Sequence, residues 1–114
     1  MIKLVMMVRR RRDLTHEQFR DHYERVHAPL AQSLFTSLRG YVRNYAEKTV
    51  TGAETGFDVI TELWFDDEQG WKDAAAAMDT PGGKALQADE ESFMDRPATV
   101  AMLVQEHSSH FSRG

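Results

Sequence analysis

Cysteine is absent from this chain of 114 residues. The fold therefore contains no disulfide bond, no thiolate metal site and no cysteine nucleophile, an absence that is compatible with a reducing cytosol. No apolar run approaches the length of a membrane span. The apolar N-terminal segment is too short for a secretory signal and lacks a small-residue cleavage site. We therefore expect a cytoplasmic protein with no membrane partner.

An excess of positive charge is also lacking, since 14 Lys and Arg residues stand against 18 Asp and Glu residues. The formal net charge of -4 gives no indication of nucleic acid as a partner. The length fits a single domain, which we predict over residues 1–107 with a polar tail at 108–114. A chain this short builds one modest core and no deep cofactor cleft between two domains.

Short apolar runs alternate with amphipathic stretches. Residues 2–8 predict a strand covered on both faces, because apolar side chains occur at both alternating positions. Thr15 begins a capping-box pattern that starts a helix. Pro29 predicts a kink, since proline removes a backbone donor and clashes with the carbonyl of Arg25. Gly40 is predicted to end this helix. The apolar stripe of the helix consists of Phe19, Tyr23, Val26, Leu30, Leu34 and Leu38.

The rest of the chain predicts three more strands. The remaining elements are a strand at 41–49, a turn at 51–56, a strand at 57–65, a helix at 66–78, a break at 80–83, a helix at 84–94 and a strand at 98–106. The order is therefore β-α-β-β-α-β, the ferredoxin-like arrangement of an α+β fold. Such a fold has an antiparallel sheet with its helices on one face.

The helix-free face of the predicted sheet is too apolar to remain in water. The third strand carries Ile60 and Trp64 opposite its other apolar residues, and the last strand carries Val100, Met102 and Val104 opposite Ala101 and Leu103. An uncovered face of this kind exceeds the apolar patch that soluble monomers usually expose. The simplest cover is the same face of a second copy, so we expect a homodimer.

The main candidate for chemistry is His27, which follows Tyr23 by four residues and precedes Leu30 by three. Both spacings place its imidazole beside the buried stripe, next to the predicted kink. A His with an ordinary pKa near ~6.5 gives or takes a proton at neutral pH, and Tyr23 could orient a phenolic or carbonyl substrate. The alternative is a core histidine bonded near the carbonyl that the kink frees.

Other polar groups point less directly to a site. His16 and His22 lack the i, i+4 spacing of a helical zinc site, so no metal is expected. The run at 9–12 (RRRR) is either a solvated turn or a means of drawing an anionic substrate to a cavity mouth. The acidic cluster at 89–91 is interpreted as a helix surface, anchored by Phe93.

Three separated segments resemble the EthD family in order and spacing. The first, Phe19-x-x-His22-Tyr23-x-x-x-His27-Ala28-Pro29-Leu30, is similar to the family motif in which an aromatic pair precedes a His-Ala-Pro-Leu-type segment. Residues 57–65 resemble the family's third strand, and residues 88–95 resemble its late A-D-E-x-x-F-x-D segment. Tyr23 departs from the pattern, because that position is often Trp in the family.

This resemblance implies a ferredoxin-like fold paired into a dimeric α/β barrel, with a pocket between sheet and helices in each subunit. The wider superfamily includes cofactor-free monooxygenases, polyketide cyclases, dehydratases and lactone isomerases that act on small ring-bearing or phenolic molecules. We therefore expect an enzyme of catabolism or secondary metabolism that needs no cofactor and binds a small apolar or aromatic molecule. The alternatives are a non-catalytic ligand-binding or stress-related dimer module, and haem handling with His27 as axial ligand.

The expected site combines the residues above. His27 and Tyr23 are the expected catalytic residues. The expected substrate-binding residues are Phe19, His22, Asn44, Trp64 and Phe93.

Overall fold

The structure, a computed structural model, describes residues 1–111, so the last three positions of the predicted tail at 108–114 lie outside the described residues. In chain order the elements are β1 (Ile2–Val8), α1 (His16–His22), a π-helical turn (Tyr23–His27), α2 (Ala28–Leu34), β2 (Leu38–Tyr45), β3 (Val59–Phe65), α3 (Glu68–Ala77), α4 (Pro81–Phe93), a 3-10 turn (Arg96–Ala98) and β4 (Val100–Val104). The first three helical segments are continuous, and the predicted β-α-β-β-α-β order is confirmed.

All strand pairs in the sheet are antiparallel, and the strands lie in the order β2-β3-β1-β4. This order confirms the ferredoxin-like α+β fold. Leu4 in the centre of β1 pairs with Leu63 of β3 and with Leu103 of β4. Directly paired residues on neighbouring strands point their side chains to the same face of the sheet. These three residues lie on the face that the helices cover. The core lies between that face and the helices, where Val8 and Phe65 are almost fully buried.

The start of α1 and the distortion after it both follow from local chemistry. Thr15 and Gln18 form the predicted capping box, with hydrogen bonds of 3.0 and 2.9 Å between side chains and backbone amides. At the predicted kink the helix widens into a π-helical turn, in which the amide of Ala28 donates to the carbonyl of Tyr23. Pro29 has no amide hydrogen to continue the α-helical ladder, which is consistent with the wider turn.

The π-helical turn changes which side chains face the core. Tyr23, His27 and Ala28 are buried, whereas Val26 is 45% exposed. The prediction that Val26 belongs to the buried stripe is therefore wrong. An extra residue in one turn rotates the following side chains relative to a regular α-helix, so a stripe extrapolated at constant period fails at this point.

The helix also ends earlier than predicted, at Leu34 rather than at Gly40. Leu38, which the helical stripe included, instead begins β2. Gly40 lies inside this strand beneath the indole of Trp64, where a Cβ atom would come within 1.8 Å of a ring carbon. The glycine therefore leaves room for the Trp64 ring over the strand and does not mark the end of a helix.

The predicted break at 80–83 is the start of α4. Thr80 accepts a hydrogen bond from the amide of Gly83 at 3.2 Å, and Pro81 occupies the first turn of the helix. Proline is favoured there because its missing amide hydrogen is not needed. Strands β2, β3 and β4 are each shorter than the sequence patterns predicted.

The sheet face opposite the helices is largely apolar. Val42, Ile60, Val100 and Met102 are each between 37% and 44% exposed there. This is the face for which the sequence predicts a second copy as cover. No helix in the described part of the chain has both the length and the apolar character needed to cross a membrane.

Candidate functional site

A hollow of about 190 Å³ lies between the sheet and the helices. All four strands and the helices α2, α3 and α4 contribute to its walls, which are predominantly apolar. Five side chains in the lining carry polar groups: Tyr23, His27, Tyr41, Trp71 and Glu90. The predicted catalytic residues His27 and Tyr23 are therefore brought together at one hollow.

His27 is fixed by a carboxylate on another helix. Its Nδ1 lies 2.9 Å from Oδ2 of Asp89, and the other carboxylate oxygen lies 2.9 Å from Nε2 of His22. An ionised carboxylate only accepts hydrogen bonds, so Nδ1 of His27 is the donor in this contact. Within residues 1–111, Nε2 of His27 has no hydrogen-bond partner. This nitrogen is not among the fully buried polar atoms of the described residues.

The environment keeps the His27 imidazole neutral. Burial lowers the pKa of His27, against the opposing effect of the hydrogen bond to Asp89. Because Nδ1 carries the proton, Nε2 keeps its lone pair. His27 is only 5% exposed, and its side chain lines the hollow. A neutral imidazole oriented by a carboxylate can act as a general base.

The lowered pKa of His27 predicts a pH-dependent contribution to stability. Above about pH 6.5 the imidazole is neutral in both folded and unfolded chains. As the pH falls below this value, the unfolded chain binds a proton first, so the folded state loses stability relative to it. We expect the difference in free energy of unfolding between wild type and His27→Gln to decrease as the pH falls through this range. Urea denaturation at a series of pH values measures it, and a pH-independent difference would contradict the expectation.

Two tyrosines form a second polar group at the hollow. The hydroxyl of Tyr23 lies 2.8 Å from Oγ1 of Thr61, and the hydroxyl of Tyr41 donates to the oxygen of Tyr23 at 3.4 Å. Burial raises the pKa of Tyr23 and of Tyr41, so both phenols keep their protons at neutral pH. The hollow thus contains phenolic hydroxyls beside a neutral imidazole.

The hydroxyl contact between Tyr23 and Thr61 makes a measurable prediction. Tyr23→Phe should lower the free energy of unfolding by about 1–3 kcal/mol, because it leaves the buried Thr61 hydroxyl without that partner. Adding Thr61→Val removes the hydroxyl that has lost its partner. The double variant should therefore be more stable than the sum of the two single effects predicts. Urea denaturation of the four proteins gives the coupling energy. Strictly additive effects would show that the two hydroxyls do not interact.

Glu90 contributes a carboxyl group to the lining of the hollow. Burial raises the pKa of Glu90, with the positive charge of Arg96 opposing the shift. No hydrogen bond to the Glu90 carboxyl is present in the described part of the chain. The acidic cluster at 89–91 is therefore not simply a helix surface. That interpretation fits Glu91, which is exposed and pairs with Arg96 at 2.9 Å, but it is wrong for Asp89 and Glu90.

Three of the predicted substrate-binding residues surround the polar groups without lining the hollow. Phe93 packs its ring 5.0 Å from the His27 ring, and Phe19 lies edge-on to Tyr23 at 6.0 Å between ring centroids. His22 is half-buried and contacts the outer oxygen of Asp89. These three side chains therefore contact Tyr23, His27 and Asp89 without reaching the hollow.

Asn44 and Trp64 lie on the opposite face of the sheet. The amide of Asn44 donates to the carbonyl of Ile60 and to the carboxylate of Glu62, both at 3.0 Å. Trp64 covers Gly40 on that same face. The structure does not bring either residue to the hollow, because strand alternation places both opposite the residues that line it.

The arginine run at 9–12 lies away from the hollow and makes local contacts. Arg9 donates to the carbonyl of Gly56 at 2.8 Å, Arg10 pairs with Asp58, and Arg11 pairs with Asp13. None of these residues lines the hollow. These contacts fit a structured surface turn. The arginines of the run line two other depressions, which share no lining residue with the hollow.

The hollow is small for a large cofactor. Sites for drug-sized ligands usually measure about 300–1,000 Å³, and the volume here of about 190 Å³ is too small for a haem. Among residues 1–111, no three His, Asp or Glu side chains are grouped as a metal ion would require. The polar groups present are suited to hydrogen bonding and proton transfer with a small molecule.

Comparison with known families identifies the domain. A family model described as "EthD domain" matches residues 11–97, a span that includes His27, Asp89 and Glu90. No curated protein matches the sequence.

Solved structures show the same fold. An EthD family protein from Bacillus halodurans is 24% identical, with a TM-score of 0.71, and the match covers 94% of this chain and 100% of that one. A dimeric protein of unknown function with a ferredoxin-like fold from Bacteroides fragilis is 9% identical, with a TM-score of 0.63 and coverages of 92% and 95%. SnoaB from Streptomyces nogalater, a cofactor-independent oxygenase, is 10% identical, with a TM-score of 0.64 and coverages of 95% and 94%. At these identities the likeness concerns the fold alone.

Proposed function

The chain belongs to the EthD domain family, and from this premise we propose that it is a cofactor-independent enzyme acting on a small ring-bearing or phenolic molecule. The observation that carries the proposal is the buried, neutral imidazole of His27, held through Nδ1 by Asp89 at the wall of an apolar hollow. Its expected setting is small-molecule catabolism or secondary metabolism in the cytoplasm.

The first chemical step is a proton transfer to His27. Nε2 takes a proton from an O–H bond, or from a C–H bond beside a carbonyl, and the bonding electrons stay on the substrate. Asp89 stabilises the imidazolium that forms, as the carboxylate of a catalytic triad does. The returned proton then completes an isomerisation, dehydration or cyclisation. With an electron-rich phenol, the anion could instead react with molecular oxygen, so that one oxygen atom enters the ring to give a quinone and the other leaves as water. The fold similarity to SnoaB suggests this reaction class.

The phenols of the hollow complete the site in this proposal. Both stay protonated at neutral pH, so they can donate hydrogen bonds to an oxygen on which negative charge develops. Tyr23 is held by Thr61, whereas Tyr41 has a longer contact of 3.4 Å that a bound oxygen atom could replace. Tyr23 thus retains the orienting role expected from the sequence, and Tyr41 joins it.

We also propose that the working form is a homodimer joined through the helix-free face of the sheet. The exposed apolar residues of that face support this proposal. So do structural relatives described as dimeric ferredoxin-like proteins. A two-fold pairing of the faces would remove these side chains from water in both subunits.

A substrate search tests the catalytic proposal. Purified protein treated with a chelator is incubated in air with a panel of small phenols and cyclic ketones, and products are identified by mass spectrometry. Unchanged mass indicates isomerisation, loss of water indicates dehydration, and gain of oxygen indicates oxygenation. We expect turnover without an added cofactor. Turnover only after addition of a flavin or a metal ion would contradict the proposal.

A non-catalytic ligand-binding module is the second candidate. The predominantly apolar lining of the hollow favours it, because such a lining suits retention of an apolar molecule. The same panel separates the two functions. Saturable binding with no product from any bound compound would favour the binding module and reject the enzyme.

A further inference from the structure

No lysine or arginine side chain lines the hollow in the described part of the chain, and a single carboxyl group does. We propose that the hollow selects an uncharged molecule with one ring, and that Glu90 determines this specificity by excluding carboxylates and other anions. The inference deepens the proposed function, because it concerns the ligand of the same site.

Two arginines near residues of the hollow pair with carboxylates outside its lining. Arg43 makes a 2.6 Å ion pair with Glu24, and its guanidinium lies 4.6 Å from the centre of the Tyr41 ring. Arg96 pairs with the exposed Glu91 at 2.9 Å. Neither arginine belongs to the lining of the hollow. An anion that entered would therefore leave water without gaining a lysine or arginine as a countercharge.

The volume limits the size of the ligand. A dry apolar cavity of about 150 Å³ is known to hold benzene. The hollow measures about 190 Å³, which leaves room for one ring and small substituents. Imidazole and phenolic hydroxyls at its wall can hydrogen-bond to a hydroxyl or carbonyl group of such a ring.

An ionised Glu90 opposes a negative charge, because it repels an anion in surroundings of low polarity, where charge interactions are strong. Burial raises the pKa of Glu90, so the surroundings of this side chain disfavour a carboxylate relative to a neutral carboxyl group. An ammonium ion is also disfavoured, because its pairing with Glu90 would require the desolvation of both charges.

Three probes of similar shape and different charge test the inference. The dissociation constants of p-cresol, benzoate and benzylamine are measured by NMR titration near pH ~7.5, where the probes are neutral, anionic and cationic. The proteins are wild type, Glu90→Gln and Glu91→Gln. The last is a matched control, because Glu91 is the exposed neighbour of Glu90 on the same helix and the substitution removes the same charge.

We expect wild type to bind p-cresol at least about tenfold more tightly than either charged probe. Glu90→Gln should reduce the preference for p-cresol over benzoate by about threefold or more, whereas Glu91→Gln should leave it unchanged. Benzoate or benzylamine binding as tightly as p-cresol, no saturable p-cresol binding, or equal effects of the two variants would overturn the inference. Because the assay measures binding alone, a lack of turnover would reject the enzyme without affecting this result.

Discussion

Turnover by the His27→Gln protein is expected to fall by about 100-fold to 10,000-fold, because a positioned general base contributes a factor of this size. Glutamine retains a side-chain amide that can donate to Asp89, but it has no basic nitrogen to take a proton. The change therefore removes the proton acceptor while keeping a donor for the carboxylate that holds it. The rate is measured on a substrate found in the panel, under saturating conditions.

His22→Gln is the matched control for this prediction. His22 contacts the other oxygen of the same carboxylate, on the side away from the hollow. The substitution is chemically identical, so any general effect of losing an imidazole from Asp89 appears in both variants. We expect His22→Gln to lose less than about tenfold in turnover, since it does not touch the substrate. Equal losses in the two variants, or full activity in His27→Gln, would reject His27 as the base.

Dimer dissociation by Ile60→Glu is the second large effect that we expect. Ile60 is 44% exposed in the single chain and lies on the helix-free face, opposite the hollow. A two-fold interface would bury the two introduced glutamates, one from each subunit. The substitution adds no basic residue that could pair with them. The desolvation of unpaired charge should weaken association by about 100-fold or more.

Sedimentation velocity over a range of concentrations measures this effect. Val50→Glu is the control, because Val50 is 96% exposed outside the strands and the introduced charge stays in water. Wild type and the control should both sediment as dimers at micromolar concentration, while Ile60→Glu should be monomeric with a far-UV circular dichroism spectrum like that of wild type. A wild-type protein that is monomeric, or an Ile60→Glu protein that remains dimeric, would reject the proposed interface.

The position of His27 illustrates what helical spacing can predict. The four-residue step from Tyr23 was enough to predict a buried imidazole, because both residues lie on the core side of the helix. The π-helical turn was not predictable from that spacing, although Pro29 marked the place of the distortion. A π-helical turn of five residues depends on which backbone carbonyl accepts the hydrogen bond of each amide, and the residue pattern does not specify that choice.

The partner of His27 was missed for a different reason. Asp89 stands in a run of acidic residues, and such a run is usually a solvated surface. Its role depends on the packing of α4 against the first helix, a contact between segments 62 residues apart. The late A-D-E segment was the available signal, since a specific motif in a charged run argues against simple solvation.

Asn44 and Trp64 show how strand alternation could have refined the predicted site. Trp64 had been placed on the same face as Ile60, and the pairing of Asn44 with Ile60 puts Asn44 there too. That face is the one predicted to meet a second copy, so it could not also line a hollow beneath the helices. Gly40 shows the opposite limitation. A glycine can mark a helix end or a close contact, and only the Trp64 ring above it distinguishes the two.

The protonation of the two nitrogens of His27 tests the central claim most directly. Long-range ¹H–¹⁵N NMR spectra of the ¹⁵N-labelled protein distinguish a protonated ring nitrogen from one that carries a lone pair. Near pH ~7, above the ordinary His pKa, we predict a neutral ring with the proton on Nδ1 and the lone pair on Nε2. A doubly protonated ring at that pH, or a neutral ring with its proton on Nε2, would contradict the account of His27 as a base held by Asp89.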